Sequence, residues 1–147
     1  MRRIIPLMSF LVCSPVTAHT QTAADQVHTA ILNMEGAAAK LDADEFMRSY
    51  WQSPELTITF DGETLRGWET ILREQRKWWS DKNAGIKFTE QRPPEIMTQA
   101  KGVVTSVQWM AIASARDQKP SRLVITSVWK KRPEGWRIVL AHESLVH

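Results

Sequence analysis

Apolar residues recur at helical spacing in the stretch that follows residue 22. Between Ala23 and Leu41 the apolar positions are Val27, Ile31, Met34, Ala38 and Leu41. A spacing of three and four residues predicts an amphipathic helix with one buried face. Asp42 with Glu45 three residues later forms a capping-box pattern, which predicts a second, short helix that Pro54 ends.

A short strand and a third helix follow in the pattern. Residues 56–60 alternate and are rich in β-branched side chains, so they predict a strand, and Asp61-Gly62 predicts a tight turn. Gly67 then opens a helix that residues 80–85 break. The predicted buried face of this helix carries Trp68, Ile71, Leu72, Gln75 and Trp79.

From Ile86 onward the apolar positions alternate with a period of two. This predicts strands over 86–89, 95–100, 103–115, 121–132 and 136–146. Pro93-Pro94 between the first two of these segments predicts a bulge, a bend or a sheet edge. No linker, repeat or charge block divides the pattern. Helices followed by long antiparallel strands predict a single α+β domain.

The first eighteen residues have the composition of a targeting segment. Arg2 and Arg3 precede an apolar run over 4–12, and Val16-Thr17-Ala18 supplies small or short residues at the cleavage positions. This pattern predicts a signal peptide over 1–18 and a single domain over 19–147 that is secreted or periplasmic. The alternatives are a buried N-terminal helix and a lipoprotein acylated at Cys13.

Composition and charge exclude several classes of protein. The 147 residues carry a formal charge of +3, of which two charges belong to the predicted signal peptide, so the remainder gives no sign of a nucleic-acid partner. A single Cys excludes a disulfide framework. The four His show no ligand spacing and no phosphate-binding loop occurs, so we expect neither a metal site nor a cofactor. No other apolar run is long enough for a membrane span.

Two motifs resemble those of a known superfamily. The segment 60–67, FDGETLRG, resembles the turn before a helix in the nuclear transport factor 2-like superfamily, which is also called SnoaL-like or cystatin-like. The segments 128–131 and 135–144 resemble its terminal hairpin. The resemblance covers nearly the whole predicted domain and is to the branch of unknown function. It implies a cone-shaped, curved antiparallel sheet wrapped around the N-terminal helices, with a pocket at its open end.

The turn at Pro133-Glu134 sets an expected register for the last two strands. In that register Trp129 faces Ile138, Ser127 faces Leu140 and Ile125 faces His142, with all six on one face. The opposite face would hold Val124, Thr126, Val128, Val139 and Ala141. Both faces are apolar, so we expect helices to cover one of them and a second copy of the chain to cover the other. The expected assembly is therefore a homodimer, as the resemblance also suggests.

Three residues are candidates for catalysis, and each has a structural alternative. His142 has the chemistry of a general acid or base, or of a core histidine bonded to Ser127 or Ser144. Tyr50 is a donor to an oxyanion, or an amphipathic residue at a helix end. Asp61 is a base at the mouth of the pocket, or a turn residue. Glu143 is expected to face away from His142, so no inward carboxylate is expected to orient that imidazole.

The surplus of Trp supplies candidates for ligand binding. Trp68, Trp109 and Trp129 are expected to stack on a flat apolar ligand, or to fill the core. Together with the polar candidates they give the expected binding set Tyr50, Trp68, Trp109, Ser127, Trp129 and His142. We interpret the chain as an exported domain that binds a small apolar or aromatic molecule. The alternatives are a cofactor-free lyase or isomerase that uses His142 and Tyr50, and a purely structural dimerisation module.

Overall fold

The computed structural model describes residues 20–116 and 119–146. The predicted signal peptide over 1–18 lies outside the described residues. The elements in chain order are α1 (Ala23–Ala39), α2 (Ala43–Met47), β1 (Thr57–Phe60), β2 (Glu63–Arg66), α3 (Trp68–Trp78), β3 (Lys87–Ala100), β4 (Val103–Ala113), β5 (Ser121–Arg132) and β6 (Gly135–Val146). The predicted α+β organisation is confirmed.

Each helix begins at a residue that suits a helix start. Thr22 and Asp25 exchange hydrogen bonds in a capping box at α1, which satisfies backbone N–H groups of the first turn. At α2 the side chain of Asp42 accepts a hydrogen bond from the Glu45 backbone N–H at 3.0 Å. Gly67 precedes α3 with a φ of 84°, a conformation that favours glycine.

Six strands form one sheet in the order β2-β1-β6-β5-β4-β3. β1 runs parallel to β6, and the other neighbours are antiparallel. β3 lies at the edge, and its pairing with β4 shifts register twice between Glu90 and Glu95. The prolines at 93 and 94 therefore sit beside bulges on an edge strand, where a missing N–H breaks no central ladder.

The helices pack on one face of this sheet, which we call the inner face. α1 contributes Val27, Ile31, Met34 and Ala38 to the core, at the spacing that the sequence predicts. The inner residues of β4 are Val104, Ser106, Gln108 and Met110, all buried. None of the helices in the described ranges is long and apolar enough to cross a membrane.

A one-residue bulge at Val139 changes the phase of β6. Trp129 pairs with Ile138 as expected, but Val128 pairs with Leu140, so Val139 has no partner in β5. An extra residue in one strand reverses the face on which every later side chain lies. The expected pairs beyond this point are therefore wrong.

The corrected register exchanges the two faces of the C-terminal half of β6. Ser127 pairs with Ala141, and Ile125 pairs with Glu143. His142 pairs with Thr126 and is exposed on the outer face, and Leu140 is 46% exposed. Ala141, which was expected on the outer face, is buried on the inner one.

The expected inward position of Trp109 is also wrong. Its neighbours Gln108 and Met110 are both buried on the inner face, so alternation places Trp109 on the outer face. There the Arg92 guanidinium lies 3.2 Å from the centre of the Trp109 ring. This indole stacks on a cation of the edge strand, away from the helices.

Candidate ligand-binding site

A cavity of about 330 Å³ lies between the helices and one end of the inner face. Its wall is mainly apolar and contains side chains from all three helices and five of the strands. The lining residues are Met34, Glu35, Ala38, Phe46, Tyr50, Phe60, Gln75, Trp78, Trp79, Ile86, Phe88, Gln108, Met110, Ile112, Leu123, Ile125 and Glu143. This volume and lining are typical of sites that hold a small organic molecule.

Aromatic rings form a continuous part of the wall. Phe46 lies 5.4 Å from Tyr50 and 4.9 Å from Trp79, and Trp79 lies 5.9 Å from Phe88, measured between ring centres. These distances are within the range of favourable edge-to-face and tilted ring contacts. Trp78 is 50% exposed, so this indole lies where the cavity meets solvent.

Glu143 places a carboxyl group in this mainly apolar wall. The bulge at Val139 turns its half-buried side chain toward the cavity. In the sheet Glu143 pairs with Phe60 of β1 on one side and with Ile125 of β5 on the other. Burial raises the pKa of Glu143 from its ordinary value of 4.5 to about 7. Within the described residues no side chain donates a hydrogen bond to this carboxyl group. Glu143 therefore changes its protonation near neutral pH.

A second carboxyl group reaches the cavity from α1. Gln108 Nε2 donates a hydrogen bond to Glu35 Oε1 at 3.0 Å. Burial raises the pKa of Glu35, and the charge of Glu90 acts in the same direction, against the hydrogen bond from Gln108 and the proximity of His28. Gln108 is buried, and its Oε1 has no hydrogen-bond partner among the described residues.

Tyr50 is the expected site residue that lies on the cavity wall. It follows α2, is 2% exposed, and is held by a backbone bridge to Ile138 of β6. Burial raises its pKa well above 10, and the charge of Glu143 adds to the effect. Its phenol therefore stays protonated at neutral pH and is a hydrogen-bond donor facing the same space as Glu143.

Three of the other expected residues lie in the packed core or against it. Trp129 is fully buried and donates its indole N–H to Ser106 Oγ at 2.9 Å. Trp68 donates to the Met47 carbonyl at 3.0 Å. Ser127 is fully buried on β5, two residues before Trp129, and its Oγ has no partner within the part of the chain that the structure describes. None of these three lines the cavity.

The remaining candidates for chemistry lie outside the cavity. His142 is exposed and contacts Ser144 Oγ through Nε2 at 3.0 Å, one of the two hydrogen bonds that the sequence suggested. Asp61 is exposed at a φ of 46°, and its backbone N–H donates to the Glu143 carbonyl at 2.9 Å. In residues 20–116 and 119–146 no group of three His, Cys, Asp or Glu side chains is placed to hold a metal ion.

Sequence reasoning missed both carboxyl groups of the cavity. Glu35 lies four residues after Ile31 and three before Ala38, which places it on the apolar face of α1. That spacing alone indicates that the Glu35 side chain faces the core. For Glu143 no such signal exists. Residues 138–141 are all apolar, so the sequence shows no alternation there that would indicate a bulge or tell the two faces of β6 apart.

The fold and the cavity together define the class of protein. A curved six-stranded sheet with helices on its inner face is the architecture that the resemblance implied, and this expectation is confirmed. The sequence pattern of the SnoaL-like domain matches residues 27–147, so the chain belongs to this family. No curated protein is significantly similar to the chain.

Solved structures of the nuclear transport factor 2-like class share this fold. A nuclear transport factor 2-like protein of unknown function from Shewanella oneidensis is 26% identical, with a TM-score of 0.72 over 84% of this chain and 99% of that one. Another nuclear transport factor 2-like protein of unknown function, from Pseudomonas putida, is 10% identical, with a TM-score of 0.73 over 83% of this chain and 85% of that one. A nuclear transport factor 2-like superfamily protein from Salmonella enterica is 20% identical, with a TM-score of 0.70 over 84% of this chain and 91% of that one.

Proposed function

We propose that the chain binds a small molecule with an apolar or aromatic body in this cavity. The observation that carries the proposal is a mainly apolar wall that holds a few convergent polar groups. Phe46, Trp79 and Phe88 offer aromatic surface, while Tyr50 and Glu143 offer polar contacts from one side. Apolar area provides affinity in such sites and the few polar groups provide orientation.

The test uses a neutral probe and a matched pair of variants. Isothermal titration calorimetry with 3-phenylpropan-1-ol should give saturable binding to the native protein. Ile125→Phe adds a ring on the cavity wall and should weaken binding at least tenfold by filling the space. Thr126→Phe adds the same ring at the next, outward-facing residue and should leave the affinity within twofold. If neither this alcohol nor a charged analogue with the same phenylpropyl body binds the native protein saturably, the proposal is overturned.

Acid–base catalysis is a second candidate, because Glu143 has a pKa of about 7 inside the cavity. A group with this pKa both takes and gives a proton at neutral pH, and Tyr50 is a neutral donor beside it. Glu143 takes the role for which the sequence suggested His142. The test is mass spectrometry of molecules that copurify with the protein, followed by incubation with each. Glu143→Gln should retain binding and lose about a hundredfold or more in turnover if the site is catalytic.

We further propose that binding takes place outside the cytoplasm, in a homodimer. The cationic and apolar pattern of residues 1–18 supports export, and N-terminal sequencing of protein from the producing cell should begin at or near His19. An intact Met1 in the folded protein would contradict export. The half-buried valines of the outer face, Val107, Val124 and Val128, support a second copy of the chain as the cover of that face.

A further inference from the structure

The charged groups that line the cavity are all acidic. Glu35 and Glu143 are the two ionisable carboxyl groups of the wall, and no Lys, Arg or His of the described residues lines it. His28 is exposed on α1 and acts on Glu35 only through its charge. An anionic ligand would therefore meet like charges and no countercharge in a poorly solvated space.

Two polar groups of the wall are hydrogen-bond acceptors without a donor. Glu35 accepts a hydrogen bond from Gln108 Nε2, which leaves Gln108 Oε1 as an acceptor without a partner among the described residues. Turning the amide over would place its oxygen against the carboxyl group of Glu35, which an ionised Glu35 would disfavour. The Glu143 carboxylate likewise has no donor in the described chain. Buried acceptors without donors are costly, so a ligand that carries donors would gain by binding beside them.

These acceptors are aligned across the sheet. Gln108 pairs with Ile125, and Ile125 pairs with Glu143, so all three occupy one row on the inner face. Two strand spacings separate the Gln108 and Glu143 backbones by about 10 Å. Tyr50 and Phe60 flank the Glu143 end, and aromatic faces attract a cation as well as apolar groups.

We propose that the cavity takes an organic ammonium ion with an apolar body. The nitrogen lies at Glu143, where its N–H groups supply the missing donors and countercharge, and the body lies against Phe46, Trp79 and Phe88. An ammonium group suits this place because it has three donors and no acceptor. This inference rests on the proposed function, that the cavity binds a small molecule, and adds the charge of that molecule.

The experiment compares three probes that differ in the charge of one end group. Calorimetry at pH 8 uses 3-phenylpropylamine, 3-phenylpropan-1-ol and 3-phenylpropanoate. The amine should bind at least tenfold more tightly than the alcohol, and the carboxylate more weakly than either. Glu143→Gln should reduce the affinity for the amine to within about twofold of that for the alcohol. Glu134→Gln removes the same charge from an exposed turn at the other end of β6 and should change neither affinity.

The native protein supplies an independent measurement if Glu143→Gln fails to fold. The ionisable groups facing Glu143 across the cavity are Tyr50, which stays neutral, and Glu35 of α1. Affinity for the amine should rise about tenfold from pH 6 to pH 8 as Glu143 loses its proton, while affinity for the alcohol stays constant.

The outcomes separate this inference from the proposed function. If the alcohol binds and the amine binds no more tightly, the ammonium assignment is wrong and the binding cavity stands. If the amine binds tightly but neither Glu143→Gln nor pH changes its affinity, the assignment is again wrong. If none of the three probes binds, the proposed function itself is overturned.

Discussion

Among individual side chains, Glu143 has a protonation state that changes the charge of the cavity near neutral pH. Its pKa of about 7 results from burial of the carboxyl group, to which no side chain donates a hydrogen bond in the described ranges. Its neighbour Tyr50 remains a neutral phenol. Folding thus holds an acid in a place that favours its uncharged form. Such a placement costs stability when the pH is high enough to ionise the group.

Glu143 should make the native protein less stable as the pH rises. Its pKa is raised from 4.5 to about 7 on folding, so the folded state binds more protons than the unfolded state between these values. The stabilisation is fully present below about pH 4.5 and is lost as the pH rises through 7. Because the side chain is half-buried, we expect the loss to be about 1–3 kcal/mol. Glu35, whose pKa is also raised, adds a loss of the same sign.

Denaturant unfolding at several pH values measures this effect. Glu143→Gln should be more stable than the native protein at pH 8, and the difference should vanish near pH 4. Glu134→Gln, at an exposed position, should follow the native profile throughout. A native profile that is parallel to that of Glu143→Gln would show that the carboxyl group is well solvated.

At the scale of elements, the entry to α3 depends on one glycine. Gly67 has a φ of 84°, and a Cβ there would meet only Pro54 atoms at 3.7 and 3.8 Å. Space is available, so the penalty for Gly67→Ala is backbone strain of about 1 kcal/mol or more. Gly36→Ala is the matched control, because Gly36 lies inside α1 with nothing within 4 Å of its missing Cβ.

The two alanine variants should change stability in opposite directions. Gly67→Ala should lower the free energy of unfolding, and Gly36→Ala should raise it by about 0.5–1 kcal/mol through helix propensity. Thermal or denaturant unfolding measures both. Equal stability of Gly67→Ala and the native protein would mean that the turn before α3 tolerates an ordinary residue.

Most elements could be predicted from sequence, whereas of the expected site residues only Tyr50 lies on the cavity wall. Periodicity and caps place α1, α3 and the strands β4 to β6 to within a few residues, because these are local properties. The second helix starts where its cap predicts but ends at Met47 rather than near Pro54, and the two segments expected on either side of the prolines form the single strand β3. The bulge at Val139 is set instead by pairing with β5 and by packing on the helices. A single extra residue then exchanges the faces of the sheet on which the His142 and Glu143 side chains lie. Trp109 is a related case, since an aromatic residue on a strand suits either face and the Arg92 stack became visible only with the sheet assembled.

At the scale of the whole molecule, the outer face of the sheet is the surface on which we expect the proposed dimer to form. Leu140 is 46% exposed there and Met97 47%, beside the half-buried valines. If this face joins two copies, Leu140→Glu should convert the dimer to a monomer by placing a charge in the interface. Leu32→Glu makes the same change at a 52% exposed leucine of α1 and should leave the dimer intact.

Light scattering at micromolar concentration measures this prediction. The native protein and Leu32→Glu should have twice the mass of one chain, and Leu140→Glu the mass of one. A native protein that is monomeric over a wide concentration range would contradict the homodimer.

The parallel pairing of β1 with β6 has a consequence for the order of folding. β1 and β2 join the rest of the sheet only through β6, whose paired residues lie about 80 positions later in the chain. Closing so long a loop costs chain entropy before any contact compensates for it. The hairpins of β3 to β6 can form early from local contacts, but β1 and β2 must wait. We therefore expect hydrogen exchange during refolding to protect β4 and β5 first and β1 last, so that the Phe60 and Glu143 side of the cavity is completed late.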